Sequence, residues 1–326
     1  MNIGIIGIGF VGENLAIELL RRCPNAQLFL HNSPPEAGTF SKTLRVATEL
    51  REIASFDREF RGYAAFPVED VAALKTCDII VICIKKSSNF AQVVDATKLT
   101  TGDPREALIG NDAAGIKHLA MQLRNSSSAF IIVTNPVEFM VQLFCSWNGC
   151  PREKIIGFGL SLDALRAQVR LDQMYPHARV QLCALGAHGS QAFISQTLSI
   201  AHNQSLSQFS TILRDAKNAL KQGDEDATSR ARSYNATVYG PAYVLANDIV
   251  RALNREPINA SGFHTGLGNE FWHIPIGGQF TFDRGHWQPQ VIRYCSEDES
   301  GQIKVAKRLQ SLFNGKAQKA HFKVSV

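Results

Sequence analysis

Three short motifs with chemically active side chains lie in one stretch of this 326-residue chain. They are Thr-Asn-Pro at 134–136, Leu-Asp-Ala-Leu-Arg at 162–166 and Gly-Ala-His-Gly at 186–189. If the second motif is helical, Asp163 and Arg166 share one face, because side chains three positions apart are neighbours on a helix. Asp163 can then fix the tautomer of His188 and stabilise its imidazolium, and Arg166 can grip a planar carboxylate through two parallel hydrogen bonds. The stretch predicts a site that binds a small carboxylic acid and moves a proton.

The chain opens with the pattern of a dinucleotide-binding unit. Residues 2–6 form an apolar run, residues 7–12 read Gly-Ile-Gly-Phe-Val-Gly, and residues 13–22 are amphipathic. This order predicts a strand, a glycine turn and a helix whose N-terminal N–H groups bind phosphate. The glycines permit the tight turn, close backbone approach to a pyrophosphate and close packing of the helix on the strand. The predicted cofactor-binding residues of this turn are Gly7, Gly9, Phe10, Val11 and Gly12.

The end of the second predicted strand, at 27–30, bears on the choice of dinucleotide. An NAD-binding unit usually carries an acidic residue about 20 positions beyond the turn, where it bonds the adenosine ribose hydroxyls. Asn32 stands in that place. The missing carboxylate removes the repulsion against a 2′-phosphate, and Asn32 and Ser33 can hydrogen-bond one. The sequence therefore favours NADP over NAD, with relaxed NAD binding as the alternative.

Strand and helix patterns alternate through the first half of the chain. The predicted segments are helices at 42–60, 68–74, 106–124 and 137–147 and strands at 77–84 and 129–133. The polar segment 85–104 is predicted to be a functional lid or a disordered loop, because loops of this length usually are. Asn135 directly follows a strand, at the sheet edge where open α/β folds bind ligands. The alternation predicts a doubly wound parallel sheet of the α/β class.

The second half has a different character. Segments 195–222 and 226–255 read as mainly helical, 270–293 holds short strand candidates, and 301–315 reads as a closing amphipathic helix. We therefore expect a dinucleotide-binding domain at 1–147 and a catalytic, substrate-binding domain of α+β type at 148–326.

Composition narrows the functional class. Hydrophobic residues make up 45% and charged residues 19%, as in ordinary globular proteins. The net charge of +5 comes from scattered Lys and Arg without a basic patch, which argues against a nucleic-acid partner. The chain shows neither a leader pattern nor an apolar run of about 20 residues, so we expect a cytoplasmic protein without a membrane role. No metal site is predicted, and the seven cysteines, without a C-x-x-C pair, read as free thiols in a reducing compartment.

Taken together, order and spacing resemble the L-lactate/L-malate dehydrogenase family across most of the chain. The family's S/T-N-P, L-D-x-x-R and G-x-H-G motifs match the three motifs above, and the arginine that closes over the substrate from a mobile loop matches Arg105. The resemblance implies a Rossmann-type domain followed by a catalytic domain, assembled as homodimers or homotetramers.

The resemblance also implies a mechanism and its residues. Hydride passes between the nicotinamide and C2 of a 2-oxo or (S)-2-hydroxy acid, while His188 donates or removes the proton. Asp163 orients His188, Arg166 anchors the carboxylate, and Asn135 bonds the reacting oxygen and helps to place the nicotinamide. Arg105 polarises the carbonyl once its loop closes.

Three departures from the family pattern limit the prediction of the substrate. The loop after the strand at 77–84 is about eleven residues longer than the family norm. The specificity position six residues before Arg105 is Leu99, which offers no countercharge to a second carboxylate and makes malate an improbable substrate. Asn235 stands near a substrate-facing position that is Thr or small in the family, and its amide suits a polar group instead. The expected substrate is a non-malate 2-oxo or 2-hydroxy acid.

Two other functions stay open at this point. One is an NAD(P)H-dependent reductase of an imine or another activated carbonyl in a specialised pathway. The other is a catalytically silent dinucleotide-binding protein. The five polar residues of the predicted site argue against silence, because each is costly to bury without a partner.

Overall fold

The computed structural model describes residues 1–33, 41–56, 65–85, 109–202, 205–232, 239–264, 267 and 270–319. The strands are β1 Asn2–Ile6, β2 Gln27–His31, β3 Ala65–Pro67, β4 Ile79–Ile82, β5 Ala129–Ile132, β6 Ile155–Gly157, β7 Arg179–Gln181, β8 Ala184–Ala187, β9 Gln191–Ile194, β10 Ile200–His202, β11 Ile258–Gly262, β12 Ile276–Asp283 and β13 His286–Pro289. The α-helices are α1 Phe10–Arg22, α2 Lys42–Phe56, α3 Ile109–Gln122, α4 Val137–Asn148, α5 Leu160–Met174, α6 Leu206–Arg232, α7 Tyr239–Leu253 and α8 Ser296–Lys319. Short 3-10 helices cover Val71–Thr76 and Arg152–Lys154.

A parallel sheet forms the first half of the molecule. Its strand order is β3-β2-β1-β4-β5-β6, and every neighbouring pair is parallel. Strands β4 and β5 are buried along their whole length, which explains why they are continuous apolar runs rather than alternating ones. The order reverses between β1 and β4, and the carboxyl ends of strands at such a switch point form a ligand-binding crevice. The predicted doubly wound Rossmann-type sheet is confirmed.

The same sheet continues into the second half of the chain. Strand β11 pairs antiparallel with β6, and β12 and β13 follow, so that the sheet has nine strands among the described residues. Strand β6 comes after the predicted boundary at 147 and still pairs in parallel with β5. The division into 1–147 and 148–326 therefore stays a prediction.

Four segments differ from their predicted form. Helix α6 runs without a break to Arg232, across the predicted gap at 223–225. Helix α6 begins at residue 206 rather than 195, because the preceding segment is held by the buried carboxylate of Asp298. This carboxylate accepts hydrogen bonds from the Ser195 hydroxyl at 2.7 Å and from the Thr197 N–H at 2.8 Å. The predicted helix at 68–74 is a 3-10 helix that begins at Val71, because Asp70 caps it by accepting the N–H of Ala72 at 2.9 Å. The closing helix α8 is longer than predicted and covers Ser296–Lys319.

Two large hydrophobic clusters pack around the sheet. One joins β1, β2, α1, α2 and α7, and the other joins β4, β5, α3, α4 and α8. No helix in the described part of the chain combines the length and the apolar character that crossing a membrane requires.

Candidate active site

His188 and Asp163 form a buried hydrogen-bonded pair. His188 directly follows β8, and Asp163 lies in the first turn of α5. The Nδ1 atom of His188 lies 2.8 Å from Oδ2 of Asp163, and the N–H of Gly189 donates to the same oxygen at 3.0 Å. The side chain of Asp163 is 2% exposed and that of His188 is 9% exposed. With Nδ1 bonded to the carboxylate, Nε2 is the imidazole atom that can exchange a proton with a ligand.

The charge of Asp163 is maintained despite its burial. Burial favours the neutral carboxyl, but the positive charge of His188, the hydrogen bonds from His188 and Gly189, and the charge of Arg166 outweigh it and lower the pKa of Asp163. Nη1 of Arg166 lies 3.8 Å from Oδ1 of Asp163. The helix therefore brings Asp163 and Arg166 to one face, as their spacing predicts. The arrangement therefore keeps a charged carboxylate in contact with the ring of His188.

Gly159, just before α5, lets His188 approach the backbone. A Cβ atom at position 159 would come within 2.3 Å of Cγ and 2.6 Å of Nδ1 of His188. Contacts this short do not occur, so any larger residue would displace the imidazole or the start of the helix. The sequence analysis does not assign a role to Gly159. The Gly-Phe-Gly motif at 157–159 is the sequence feature that could have indicated a close backbone contact here.

Glu138 is a second residue that the sequence interpretation did not find. It lies in the first turn of α4, and its side chain is buried. Its Oε1 accepts the backbone N–H of His188 at 2.9 Å and the hydroxyl of Ser261, on β11, at 2.5 Å. Burial raises the pKa of Glu138 even though both donors favour the ionised form. Glu138 thus connects the helix after Asn135 to the backbone of His188.

Asn135 lies between β5 and α4, at the carboxyl edge of the sheet. The preceding residue, Thr134, anchors the loop by donating its hydroxyl to the carbonyl of Ile84 at 2.9 Å. Oδ1 of Asn135 is buried and has no hydrogen-bond partner among the described residues. An unpaired buried amide oxygen is costly, so its position at this edge suits a group that a ligand supplies.

The glycine turn has the shape that a pyrophosphate requires. Gly7 has a φ of +93°, and a Cβ there would meet the backbone of Cys83 at 2.8 Å. A Cβ at Gly12 would meet the carbonyl oxygen of Gly7 at 2.2 Å, so this glycine allows α1 to pack on the turn. At Gly9, which precedes α1, an added Cβ would meet no atom within 4 Å. The space beside Gly9 at the helix N-terminus fits a dinucleotide phosphate.

Asn32 supports this turn. Its Oδ1 accepts the N–H of Ile8 at 3.1 Å, which ties the end of β2 to the glycine turn. Phe10 is the first residue of α1 and is 54% exposed, while Gly12 is buried. Ser33 is exposed beside Asn32. All of the predicted turn residues therefore lie together at the carboxyl ends of β1 and β2.

The comparisons with known proteins identify the family. Residues 1–157 match the model of the lactate/malate dehydrogenase NAD binding domain. Residues 1–157 belong to the lactate/malate dehydrogenase family, of which the chain is a divergent relative. The resemblance inferred from the motifs is confirmed, and the family supports NAD-dependent oxidoreduction of 2-hydroxy and 2-oxo acids as the general class of activity.

The relatives show how far the chain has diverged. L-lactate dehydrogenase 2 of Lactobacillus acidophilus is 26% identical over 251 residues, which cover 71% of this chain and 79% of that protein. L-lactate dehydrogenase 2 of Lactiplantibacillus plantarum is 23% identical over 321 residues, covering 95% and 96% of the two chains.

Solved structures share the fold over almost the whole chain. Malate dehydrogenase from Plasmodium falciparum superimposes with a TM-score of 0.79 at 18% identity, covering 97% of this chain and 98% of that one. Malate dehydrogenase from Archaeoglobus fulgidus in complex with NADH gives a TM-score of 0.76 at 21% identity, covering 97% and 99%.

Part of the predicted site lies outside the described residues. Arg105, Leu99, Asn235 and the greater part of the segment 85–104 lie outside the described residues. Within the described ranges, no group of three or more His, Cys, Asp or Glu side chains is arranged to hold a metal ion. The residues that the structure does bring together at the chemical end of the site are His188, Asp163, Arg166 and the newly found Glu138 and Gly159.

Proposed function

We propose that this chain is an NAD(P)-dependent 2-hydroxy acid dehydrogenase, or 2-oxo acid reductase, in which His188 is the proton donor and acceptor. The observation that carries the proposal is the 2.8 Å contact between His188 Nδ1 and Asp163 Oδ2. It commits one imidazole nitrogen to a buried carboxylate and leaves Nε2 for the substrate oxygen.

The proposed proton transfer follows from this pair. In reduction, His188 in its charged form donates the Nε2 proton to the oxygen that develops negative charge at C2. In oxidation, neutral His188 takes the hydroxyl proton, and Asp163 stabilises the resulting imidazolium. The nicotinamide cofactor, when bound, supplies the hydride in reduction and accepts it in oxidation. The low pKa of Asp163 keeps its negative charge available throughout.

The remaining residues have binding roles. Arg166 lies on the same helical face as Asp163 and is proposed to hold the substrate carboxylate. Asn135 offers a buried amide whose Oδ1 lacks a protein partner in the described part of the chain, which suits contact with the nicotinamide. Its NH₂ group is a donor that suits the reacting oxygen. Arg105 is proposed, from the resemblance, to polarise the carbonyl from its loop.

The proposed substrate is a 2-oxo acid without a second carboxylate. Leu99 at the specificity position supports this, because an apolar side chain cannot neutralise the distal carboxylate of malate or oxaloacetate. The curated relatives reported above are lactate dehydrogenases, which agrees with a monocarboxylic substrate. Asn235 is proposed to contact the substrate side chain and favours a polar group there.

NADP is proposed as the preferred cofactor, with NAD as the alternative. The support is the amide in place of a carboxylate at Asn32. Its Oδ1 accepts the Ile8 N–H, and its Nδ2 group is a donor that suits a phosphate oxygen. The homodimeric or homotetrameric state is likewise proposed, from the family resemblance alone. The cytoplasmic location stays the prediction made from the sequence.

The first experiment measures cofactor binding and turnover on the same purified protein. NADH and NADPH are titrated separately by nicotinamide fluorescence, and reduction is then assayed with 2-oxo acids that carry methyl, branched, aromatic, hydroxylated or carboxylated side chains. At least tenfold tighter binding of NADPH, a difference of ~1.4 kcal/mol, supports the cofactor proposal. Equal or tighter binding of NADH overturns it.

His188→Asn separates the chemical role from binding. We expect this variant to lose reduction while its NADH or NADPH affinity stays within about twofold of wild type, a difference of under ~0.5 kcal/mol. Equal loss of binding and turnover would overturn the role of His188. Turnover with imines but not with any 2-oxo acid would favour the imine reductase, and cofactor binding without turnover would favour the silent protein.

A further inference from the structure

Cys145 and Cys150 form a thiol pair at the end of α4, at the opposite end of this helix from Glu138. Helix α4 ends at Asn148, Gly149 follows with a φ of +73°, and Cys150 comes next. This left-handed turn folds the chain back, so that Sγ of Cys145 lies 3.6 Å from the carbonyl oxygen of Cys150. Both side chains are half-buried, and all seven cysteines of the chain are free thiols. The two thiols are therefore not bridged to each other, and both residues are partly exposed.

The surroundings favour reactivity at Cys145. A hydrogen bond from the Cys150 thiol lowers the pKa of Cys145, and the charge of Arg152 acts in the same direction, while burial and the charge of Glu153 oppose both. The pKa of Cys150 is raised, because its proton is held in this hydrogen bond and because it is buried. Arg152 is fixed beside the pair by stacking on the ring of Trp272, 3.8 Å from the ring centre. One thiol is thus favoured as a nucleophile, and its neighbour keeps its proton.

A metal site is not a competing explanation within the described ranges, because no third His, Cys, Asp or Glu side chain joins the pair. Three other cysteines differ from Cys145, because burial raises the pKa of Cys77, Cys83 and Cys183 to about 12. We propose that Cys145 and Cys150 are a reversible oxidation site, which closes to an intramolecular disulfide when the protein meets hydrogen peroxide.

The chemistry is balanced in two steps. The Cys145 thiolate attacks one peroxide oxygen, so that an S–O bond forms, the O–O bond breaks and hydroxide leaves to become water. The sulfur is oxidised to a sulfenic acid and the peroxide is reduced. The sulfur of Cys150 then attacks the sulfur of Cys145, the S–S bond forms, the S–O bond breaks, and a second water leaves with the thiol proton. A dithiol reductant reverses the change.

The test uses the full-length wild-type protein and peptide masses. Trypsin releases residues 125–152 as one peptide that contains Cys145 and Cys150 and no other cysteine. After treatment with hydrogen peroxide and blocking with N-ethylmaleimide, we expect this peptide to lose two hydrogen atoms and both maleimide labels. Dithiothreitol before blocking should restore both labels. The half-buried Cys23, whose pKa burial raises, is the internal control and should oxidise at least about tenfold more slowly.

Two variants assign the order of the steps. Cys150→Ser should stop at a sulfenic acid on Cys145 that dimedone traps, and Cys145→Ser should leave Cys150 labelled by maleimide. Cys295→Ser, a half-buried cysteine elsewhere, should form the disulfide as wild type does. The proposal is overturned if residues 125–152 keep both labels while Cys23 oxidises, or if the crosslink joins two chains or another pair of cysteines.

Discussion

Oε1 of Glu138 lies 2.9 Å from the backbone nitrogen of His188, although 50 positions separate the two residues along the chain. Asp163 holds the same histidine by its ring, through Nδ1 at 2.8 Å. The histidine is thus fixed by one carboxylate at its backbone and by another at its side chain. Two acids with separate effects on one residue can be tested separately, because removing one leaves the other contact in place.

Asp163→Asn should slow reduction by about 10²–10⁴-fold, because the amide keeps the size of the carboxylate but cannot stabilise a protonated His188. The ring of His188 should also lose part of its fixed orientation, because the negative acceptor of Nδ1 is gone. The measurement is kcat and kcat/KM for a 2-oxo acid from pH 5 to 9.

Asp172→Asn is the matched control, because Asp172 lies exposed on the same helix and accepts a hydrogen bond from Gln168. It should match wild type in rate and pH profile. An Asp163→Asn variant that reduces the 2-oxo acid as fast as wild type at every pH would contradict the role given to the carboxylate.

Glu138→Ala should lower stability by about 1–3 kcal/mol, because it leaves the His188 N–H and the Ser261 hydroxyl without their buried acceptor. Reduction should also slow, since the backbone that carries His188 loses its anchor. Glu138→Gln, which keeps an acceptor oxygen, should lie close to wild type in both properties. Urea unfolding and kcat measure the two effects.

A double-mutant cycle with Ser261→Ala tests the contact directly. If both residues act through one hydrogen bond, the two losses of stability should be less than additive. Glu49→Ala, at an exposed position on α2, should change neither property. Equal activity losses in Glu138→Ala and Glu138→Gln would show that charge, rather than an acceptor for the backbone, is what matters.

Asp163 and Glu138 show what the sequence could and could not predict about the site. Asp163, His188 and the glycine turn lie in short motifs whose order along the chain is informative, so their roles could be inferred before any contact was known. Glu138 reads locally as an acid in a first helical turn, where negative charge is ordinarily favourable. Its partners, His188 and Ser261, lie far along the chain, and no local sequence pattern indicates these contacts.

The same limit explains the segment before α6. The pattern of apolar and polar residues predicts a helix that begins at Ser195. Asp298, about a hundred positions further along the chain, instead holds Ser195 and Thr197 in a loop. The parallel strands β4 and β5 were predicted correctly because their burial on both faces leaves an apolar run in the sequence itself.

Gly159→Ala should reduce activity without preventing cofactor binding. The new methyl group would come within 2.3 Å of His188 Cγ, so the imidazole has to move from its place against Asp163. A misplacement of this kind can cost about 10²-fold in rate. The expected result is a large fall in kcat with NADH or NADPH affinity within about twofold of wild type, a difference of under ~0.5 kcal/mol.

Gly315→Ala is the control for a glycine that lies in a helix with open space around it. It should leave kcat unchanged and raise stability by about 0.5–1 kcal/mol. Full activity in Gly159→Ala would contradict the contact between position 159 and the histidine.

Asp248→Asn should remove a pH dependence of stability that the wild type shows below neutrality. Asp248 lies in α7, and burial raises its pKa to about 7, while Ser161 and Arg251 oppose the change. One of its oxygens, Oδ2, has no partner among the described residues. The folded protein therefore binds a proton that the unfolded chain releases above its ordinary pKa of 3.8. Stability should fall as the pH rises from about 4 to 7, by up to ~4 kcal/mol.

Urea unfolding at pH 4.5, 6 and 8 checks the sign. Asp248→Asn should be more stable than wild type at pH 8, where the wild type must bury a charged carboxylate, and this advantage should shrink towards pH 4.5. The exposed Asp172→Asn should follow the wild-type curve at every pH. The opposite result would be that Asp248→Asn loses most stability relative to wild type at pH 8. That result would show that the ionised carboxylate has a stabilising partner and that burial does not determine its pKa.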